Sequence, residues 1–383
     1  MRPGTLDHRW LVLVLRTGQA GQSAACVGRV NMSSGNRLFD PNSGMHAQAP
    51  HHWNRRDFVK GVAALAGTAG ISVYDMKTAA AEPSPEKTNL TLIENPVTCI
   101  VPTYIAAELL HAEGFTDVRF RKFPSETKLW PPDGLASEEF DIALTFIPTD
   151  IVQIDSGSPI VVLAGSHTGC VELVASNRVR TTKDLRGRTI GFDTDTKNFV
   201  AMFAAYVGIN PNKDVNWRYA PYRDHARLLM EGQIDAFMSG PPASLELRKE
   251  KFGHVLVDTT TDKPWSQYFC CLIATSKEFV RKYPVATKRA LRAFLKSSDV
   301  SAEQPQRVAR LLADRGLASY ENNLQMLSEL PFGRWREFDP EASMRFFALR
   351  MHELGIIKST SQKIITQGTD WRFLNELKRE LKA

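Results

Sequence analysis

From Leu90 onward, short apolar runs alternate with stretches whose apolar positions recur every three or four residues. That alternation predicts strands interleaved with helices, an α/β architecture. Leu90–Ile93, Val118–Phe123, Asp141–Phe146 and Ile160–Ala164 read as strands. Thr103–Glu113 between the first two reads as a helix, closed by Gly114 acting as the glycine beyond a helix end. A second unit opens near Thr181. Its strand Thr189–Phe192 follows a basic turn, and in "DTDTKNFVAMFAAYVGI" polar capping residues precede an apolar helix that stops at Gly208. "VNWRYAP", "RDHARLLMEGQIDAFMSG" and "HVLVDTT" continue the alternation. After "WSQYFCCLIAT" the period changes, and the chain from Lys277 to Ala383 is almost wholly helical. There is no internal repeat, and Pro83–Pro85 reads as a linker.

Charge changes the picture only at the amino end. The net charge is +6, but the first 81 residues hold nine Lys/Arg against four Asp/Glu, and the rest carries an excess of one. Nucleic acid is therefore not an expected partner. Within that leader, "NRRDFVKGVAALAGTAG" has the order of a secretory signal: Arg55, Arg56 and Lys60 supply charge, Gly61–Val73 a weakly apolar run, and Ala79-Ala80-Ala81 a small-residue cleavage site after Ala81. Arg55, Arg56, Phe58 and Lys60 resemble the twin-arginine export motif Arg-Arg-x-Phe-x-Lys, with Asn54 in place of the commoner Ser or Thr. The expectation is a protein exported to the periplasm by the twin-arginine machinery. Met45 stands nine residues before Asn54 and would begin an ordinary signal at 45–81; 1–44 then reads as a mis-assigned or disordered leader.

Cys26, Cys99, Cys170, Cys270 and Cys271 show no CxxC or metal-type spacing, so no metal is expected from spacing alone. No phosphate loop, HExxH or GxSxG is present, and no cofactor is implied.

The ordered set Leu185-Arg186-Gly187-Arg188, Thr194–Asn198, Gly208-Ile209-Asn210-Pro211 and Gly232-Gln233-Ile234-Asp235-Ala236 resembles the second lobe of type II periplasmic substrate-binding proteins, in the group of ABC importers for nitrate, sulfonates, taurine, bicarbonate and thiamine precursors. "KEFVRKYPVATKRALRAFLK" resembles that group's return helix into the first lobe. The resemblance implies two α/β lobes with ligand between them: lobe I over 88–172 plus 273–383, lobe II over 173–272, and crossovers near Val171–Ser176 and Tyr268–Thr275. It also implies an ABC permease with its ATPase as partner. Cys170 and Cys270 or Cys271 would then be neighbours at the crossovers, and a pairing between them stays open.

In such a fold, ligand meets the carboxyl ends of strands and the amino ends of helices. Thr194, Thr196, Lys197 and Asn198 are candidates to surround a carboxylate or sulfonate, with plain helix capping as the alternative. Asp193 and Asp195 argue against a dianion. Glu94 and Asn95, Ile147 and Thr149, Ser239 and Gly240 end strands and should line the cleft. His167 is a candidate hydrogen-bonding group, and Trp265 or Tyr268 a stacking platform, with packing against the hinge as the competing role. The expected function is delivery of a small organic anion or zwitterion, of sulfonate, carboxylate or pyrimidine type, to an importer. Two alternatives stand beside it: an enzyme on the same fold using His167 and Cys170, and a ligand-sensing subunit. Three residues' separation does not establish a catalytic hydrogen bond, and no third orienting group is apparent, so catalysis is not expected.

Overall fold

The computed structural model describes residues 82–94, 98–122, 132–194 and 196–381, all within one compact unit, Ala80–Ala383. The leader, the twin-arginine motif, the cleavage site, Asn95 and Asp195 lie outside the described residues.

The chain first builds a sheet whose central strands are covered on both faces. β1 (Asn89–Glu94) pairs in parallel with β2 (Asp117–Lys122), and the helix Pro102–Ala112 makes the crossover. β3 (Ile142–Phe146) and β4 (Ile160–Thr168) flank β10 (Phe269–Ser276), which runs antiparallel to both. Asp141 joins the two groups: its amide donates to the Thr91 carbonyl at 2.9 Å, and its Oδ2 accepts from the Thr91 amide at 2.7 Å. The spatial order is thus β2, β1, β3, β10, β4. Every residue of β3, β4 and β10 is buried, as continuous apolar runs require when helices pack on both faces.

The second sheet repeats that plan. β5 (Glu172–Ala175), β6 (Thr189–Phe192), β7 (Asn216–Tyr219), β8 (Ala236–Ser239) and β9 (His254–Asp258) lie in the order β7, β6, β8, β5, β9, with β6 parallel to its neighbours and β5 antiparallel to its own. β7 is an exposed edge strand.

The passage between sheets is abrupt. Gly169 (φ +69°) and Cys170 (φ +115°) break the strand direction after β4, so β5 belongs wholly to the second sheet and β10 wholly to the first. The crossing segments are 169–171 and 259–268, just ahead of the segments the resemblance implies, Val171–Ser176 and Tyr268–Thr275. The two are tied together: the Thr259 amide and hydroxyl donate to the Val171 carbonyl at 3.1 and 2.7 Å, and the Thr259 hydroxyl accepts from the Val171 amide at 3.1 Å. A Cβ on Gly169 would lie 2.6 Å from Thr260 Cα, so the close approach of the strands demands glycine.

The helices after Lys277 return to the first lobe. Pro284–Glu303 packs on Pro102–Ala112, and Val162 of β4 bridges Thr369. Two helices also reach the second lobe. Pro340–Glu353 meets Lys197–Tyr206, and Tyr320–Glu329 meets Ala243–Lys249 through Arg248–Glu329 (2.7 Å) and a Lys249–Asn322 hydrogen bond. Among the described residues, no helix is long and apolar enough to cross a membrane.

Candidate functional site

The two lobes meet at the ends of β3, β4, β6 and β8, where Phe146 lies beside Phe199 and Gly240 abuts the Cys170 carbonyl. On the first lobe, Cys271 of β10 stands opposite both Phe146 of β3 and His167 of β4. Register shifts on either side of Cys271 let the consecutive Cys270 and Cys271 both approach the same point, which regular alternation would forbid. Cys99 arrives from the short helical turn Thr98–Ile100 after β1, and Cys170 from the crossing segment.

One donor atom from each of Cys99, His167, Cys170 and Cys271 falls within 4.8 Å of the others, all of them buried. Cys170 Sγ is 2.9 Å from Cys270 Sγ and 4.0 Å from Cys271 Sγ. Burial alone would push every one of these thiols up, and Cys99, Cys270 and Cys271 are indeed raised well above the usual thiol range. Cys170 goes the other way. Burial raises it, but hydrogen bonds from Cys270, Cys271 and Cys99, with the charge of His167, outweigh that and hold it well below.

The facing wall belongs to the second lobe. Asp193 and Thr196 cap the start of Lys197–Tyr206 reciprocally: the Asp193 amide donates to the Thr196 hydroxyl at 3.1 Å, and the Thr196 amide donates to Asp193 Oδ1 at 3.0 Å. The Tyr222 hydroxyl accepts from the Gly240 amide at 3.0 Å and lies 3.3 Å from its carbonyl; burial pushes its pKa up to about 12. A Cβ on Gly240 would sit 3.1 Å from the Cys170 carbonyl, so this glycine lets the wall close on the crossing segment. Burial pushes the imidazolium of His225, behind Tyr222, down.

Between the walls runs a band of aromatic rings. Phe199, at the start of its helix, lies 5.3 Å from Phe146 and 5.5 Å from Phe347 of the other lobe. Trp265 packs on Phe199, Phe203, Phe346 and Phe347, and Tyr268 stacks on Phe346 at 4.1 Å.

The residues singled out from sequence are distributed unevenly around this centre. His167 stands inside the cysteine cluster, with Nε2 3.2 Å from the Cys99 carbonyl and Nδ1 3.3 Å from that of Thr168. Ser239 is buried and Gly240 abuts Cys170. Ile147 is buried at the start of Ile147–Asp155, where the Thr149 hydroxyl donates to the Phe146 carbonyl at 2.7 Å. The Thr196 hydroxyl is committed to capping, Asn198 is half-buried, and Thr194 is exposed. The Lys197 ammonium lies over the rings of Phe192 and Trp217, at 5.0 and 5.7 Å. Glu94 pairs with Lys122 at 3.7 Å. Trp265 is buried within the aromatic band. Cys99, Tyr222 and His225 were not singled out as site residues; the only sequence signal was a lone cysteine just after the first strand and a tyrosine before a helix.

The architecture is that of periplasmic binding proteins. The chain is similar to the periplasmic nitrate-binding protein NrtA from Synechocystis PCC 6803 (15% identity, 78% of this chain and 90% of that one, TM-score 0.63). It is similar to the ligand-binding component of an ABC-type import system from Staphylococcus aureus, with zinc bound (13%, 76% and 100%, TM-score 0.63). It is also similar to the periplasmic aliphatic sulphonate-binding protein SsuA from Escherichia coli (17%, 76% and 94%, TM-score 0.60). No curated protein sequence matches it. The sequence match spans residues 83–314, and on that span the chain belongs to the NMT1-like family.

Proposed function

We propose that the protein is the solute receptor of an ABC importer, working in the periplasm after twin-arginine export and handing a small organic anion or zwitterion to a permease with its ATPase. The observation that carries this reading is the pair of like-built sheets that the chain connects by two crossing segments tied to each other, with side-chain contacts between the lobes besides. Two rigid bodies on such a joint can open, admit a solute and close. The binding-protein fold and the import components among its structural neighbours support the reading. The aromatic band and the acidic Asp193 beside the helix start favour an organic ligand of low charge over nitrate or bicarbonate.

A second reading, nucleophilic catalysis by Cys170, has the lowered thiol pKa and His167 in its favour. Against it, Cys170 is 3% exposed, and both nitrogens of His167 face backbone carbonyls rather than the thiol.

Thermal unfolding of the purified protein against sulfonates, carboxylates, pyrimidines and nitrate tests the proposal. A ligand at about a hundred times its dissociation constant stabilises by roughly 2.7 kcal/mol. One coherent chemical group of hits, recovered unchanged, is the expected result. A compound consumed during incubation would favour catalysis, and a flat panel on folded protein would remove the support for reception.

A further inference from the structure

The buried sulfurs and imidazole beside the crossing segments are drawn from four separate places in the chain: Cys99 from the turn after β1, His167 from the end of β4, Cys170 from the first crossing segment, and Cys270 and Cys271 from the returning strand β10. Bringing them together requires two irregularities, the bulge that turns Cys270 and Cys271 toward one point and the positive φ of Cys170. A non-glycine residue in that conformation is strained unless its surroundings hold it there. Hydrophobic packing alone explains a buried cysteine. It does not explain why four thiols and an imidazole converge on one another rather than on the leucines and phenylalanines around them.

We propose that Cys99, His167, Cys170 and Cys271 form a binding site for a thiophilic d10 cation, with Zn²⁺ as its simplest occupant. Three thiolates and one imidazole are a recurrent tetrahedral set for zinc. Bonds of about 2.3 Å place the sulfurs of such a site roughly 3.8 Å apart, and Cys170 Sγ and Cys271 Sγ already stand at 4.0 Å, with all four donors inside 4.8 Å. The imidazole is poised for the role. A neutral ring has one N–H, yet both nitrogens of His167 face carbonyl oxygens, Thr168 at 3.3 Å and Cys99 at 3.2 Å. Donating from one nitrogen to its carbonyl and giving the other's lone pair to a cation resolves that conflict, in the manner by which ligating histidines are oriented. A cation bound here would displace the protons of the three thiols. Cys270, 2.9 Å from Cys170, stays outside the set as a neighbour. Because Cys170 lies on the first crossing segment and Cys271 just after the second, the bound ion would fasten both crossings to the first lobe.

The test is Zn²⁺ uptake by the full chain, purified reduced and without oxygen, followed by competition with a chromophoric chelator and by Co²⁺ substitution. The expected result is one Zn²⁺ per chain and, with Co²⁺, the intense visible bands of a tetrahedral site with near-ultraviolet thiolate charge transfer. Cys99→Ser and Cys271→Ser should each weaken Zn²⁺ binding by roughly a hundredfold or more, beyond the loss typical of an outer-shell change, while Cys270→Ser leaves it within a few-fold. Circular dichroism of each variant separates ligand loss from misfolding, and His167→Cys offers a fourth thiolate that should retain uptake. No uptake by reduced, folded protein would overturn the proposal. So would uptake indifferent to Cys99 and Cys271. The solute screen is independent of these outcomes, since it reads ligand stabilisation with or without the ion.

Discussion

The two lobes share a strand order and differ in how their interiors are packed. In the first, β3, β4 and β10 are buried along their whole length and long helices cover both faces. Each sheet has an exposed edge strand, β2 and β7, but in the second β9 is half-buried as well, and part of the interior forms a separate small cluster of Val174, Ala220, Leu228, Leu229, Ile234, Phe237 and Leu247 while the rest is continuous with the core of the first. The same topology has been given a deep core where most of the helical tail packs, and a partly separate, shallower one where only two of its helices reach. A receptor that closes by hinge bending needs one body to be the frame and the other to be the flap. The difference in burial assigns those parts.

The largest expected effect breaks the frame. Phe294, fully buried in Pro284–Glu303, should cost about 3–5 kcal/mol when replaced by alanine, whereas Leu228→Ala in the small second-lobe cluster should fall near 2 kcal/mol. Denaturant midpoints, with the slope checked for constancy, measure both. Equal losses would mean that the lobes share one core in energetic terms and that the contrast in burial is cosmetic.

Each lobe also carries a buried carboxyl. Burial pushes Asp150 in the first lobe up to about 8, opposed only by a hydrogen bond from the Thr145 hydroxyl at 2.5 Å. Burial pushes Glu172 of β5 up to about 7 against the pull of Arg248 at 3.4 Å. In the unfolded chain these groups ionise near pH 4. Between there and their folded values the unfolded state gives up its protons first, so stability falls as pH rises, and it levels off above pH 8 for Asp150 and above pH 7 for Glu172. Asp150→Asn should therefore flatten the thermal midpoint between pH 4 and 8, and Glu172→Gln should flatten it over the shorter interval. A wild-type midpoint that climbs across this range would contradict both.

The smallest effect concerns how flap meets frame. Arg248 reaches across to Glu329 at 2.7 Å while holding Glu172. A partly exposed pair of this kind contributes about 1 kcal/mol or less. Arg248→Ala should accordingly lower solute affinity by no more than about fivefold and enlarge the radius of gyration of the unliganded protein. Unchanged scattering would place the control of closure in the aromatic band instead.

The frame was more legible in the sequence than the site. Local rules carry the strands: β1, β3 and β6 fall within a residue or two of their apolar runs, and the helix expected at Thr103–Glu113 spans Pro102–Ala112. β4 runs on to Thr168 because Gly165, Ser166, His167 and Thr168 are buried despite their polarity, which no periodicity reveals. The site depends on long-range register. Cys170 and Cys270 could be brought together by reasoning about crossovers, but Cys99 joins them only through the turn after β1. Trp265, a plausible ligand platform in one dimension, is enclosed by Phe199, Phe203 and Phe347 in three.

Arg292 binds Glu82 at 2.8 Å, Glu113 at 2.6 Å and Glu380 at 3.1 Å, and Glu86 accepts from the amides of Val285 and Ala286 on the same helix. Residues 82 and 380 therefore leave the frame from a single corner. Joining them with a short linker and reopening the chain at the exposed turn near Lys213 would preserve every pairing of both sheets, so a circularly permuted form, with new ends on the flap rather than the frame, is compatible with this architecture.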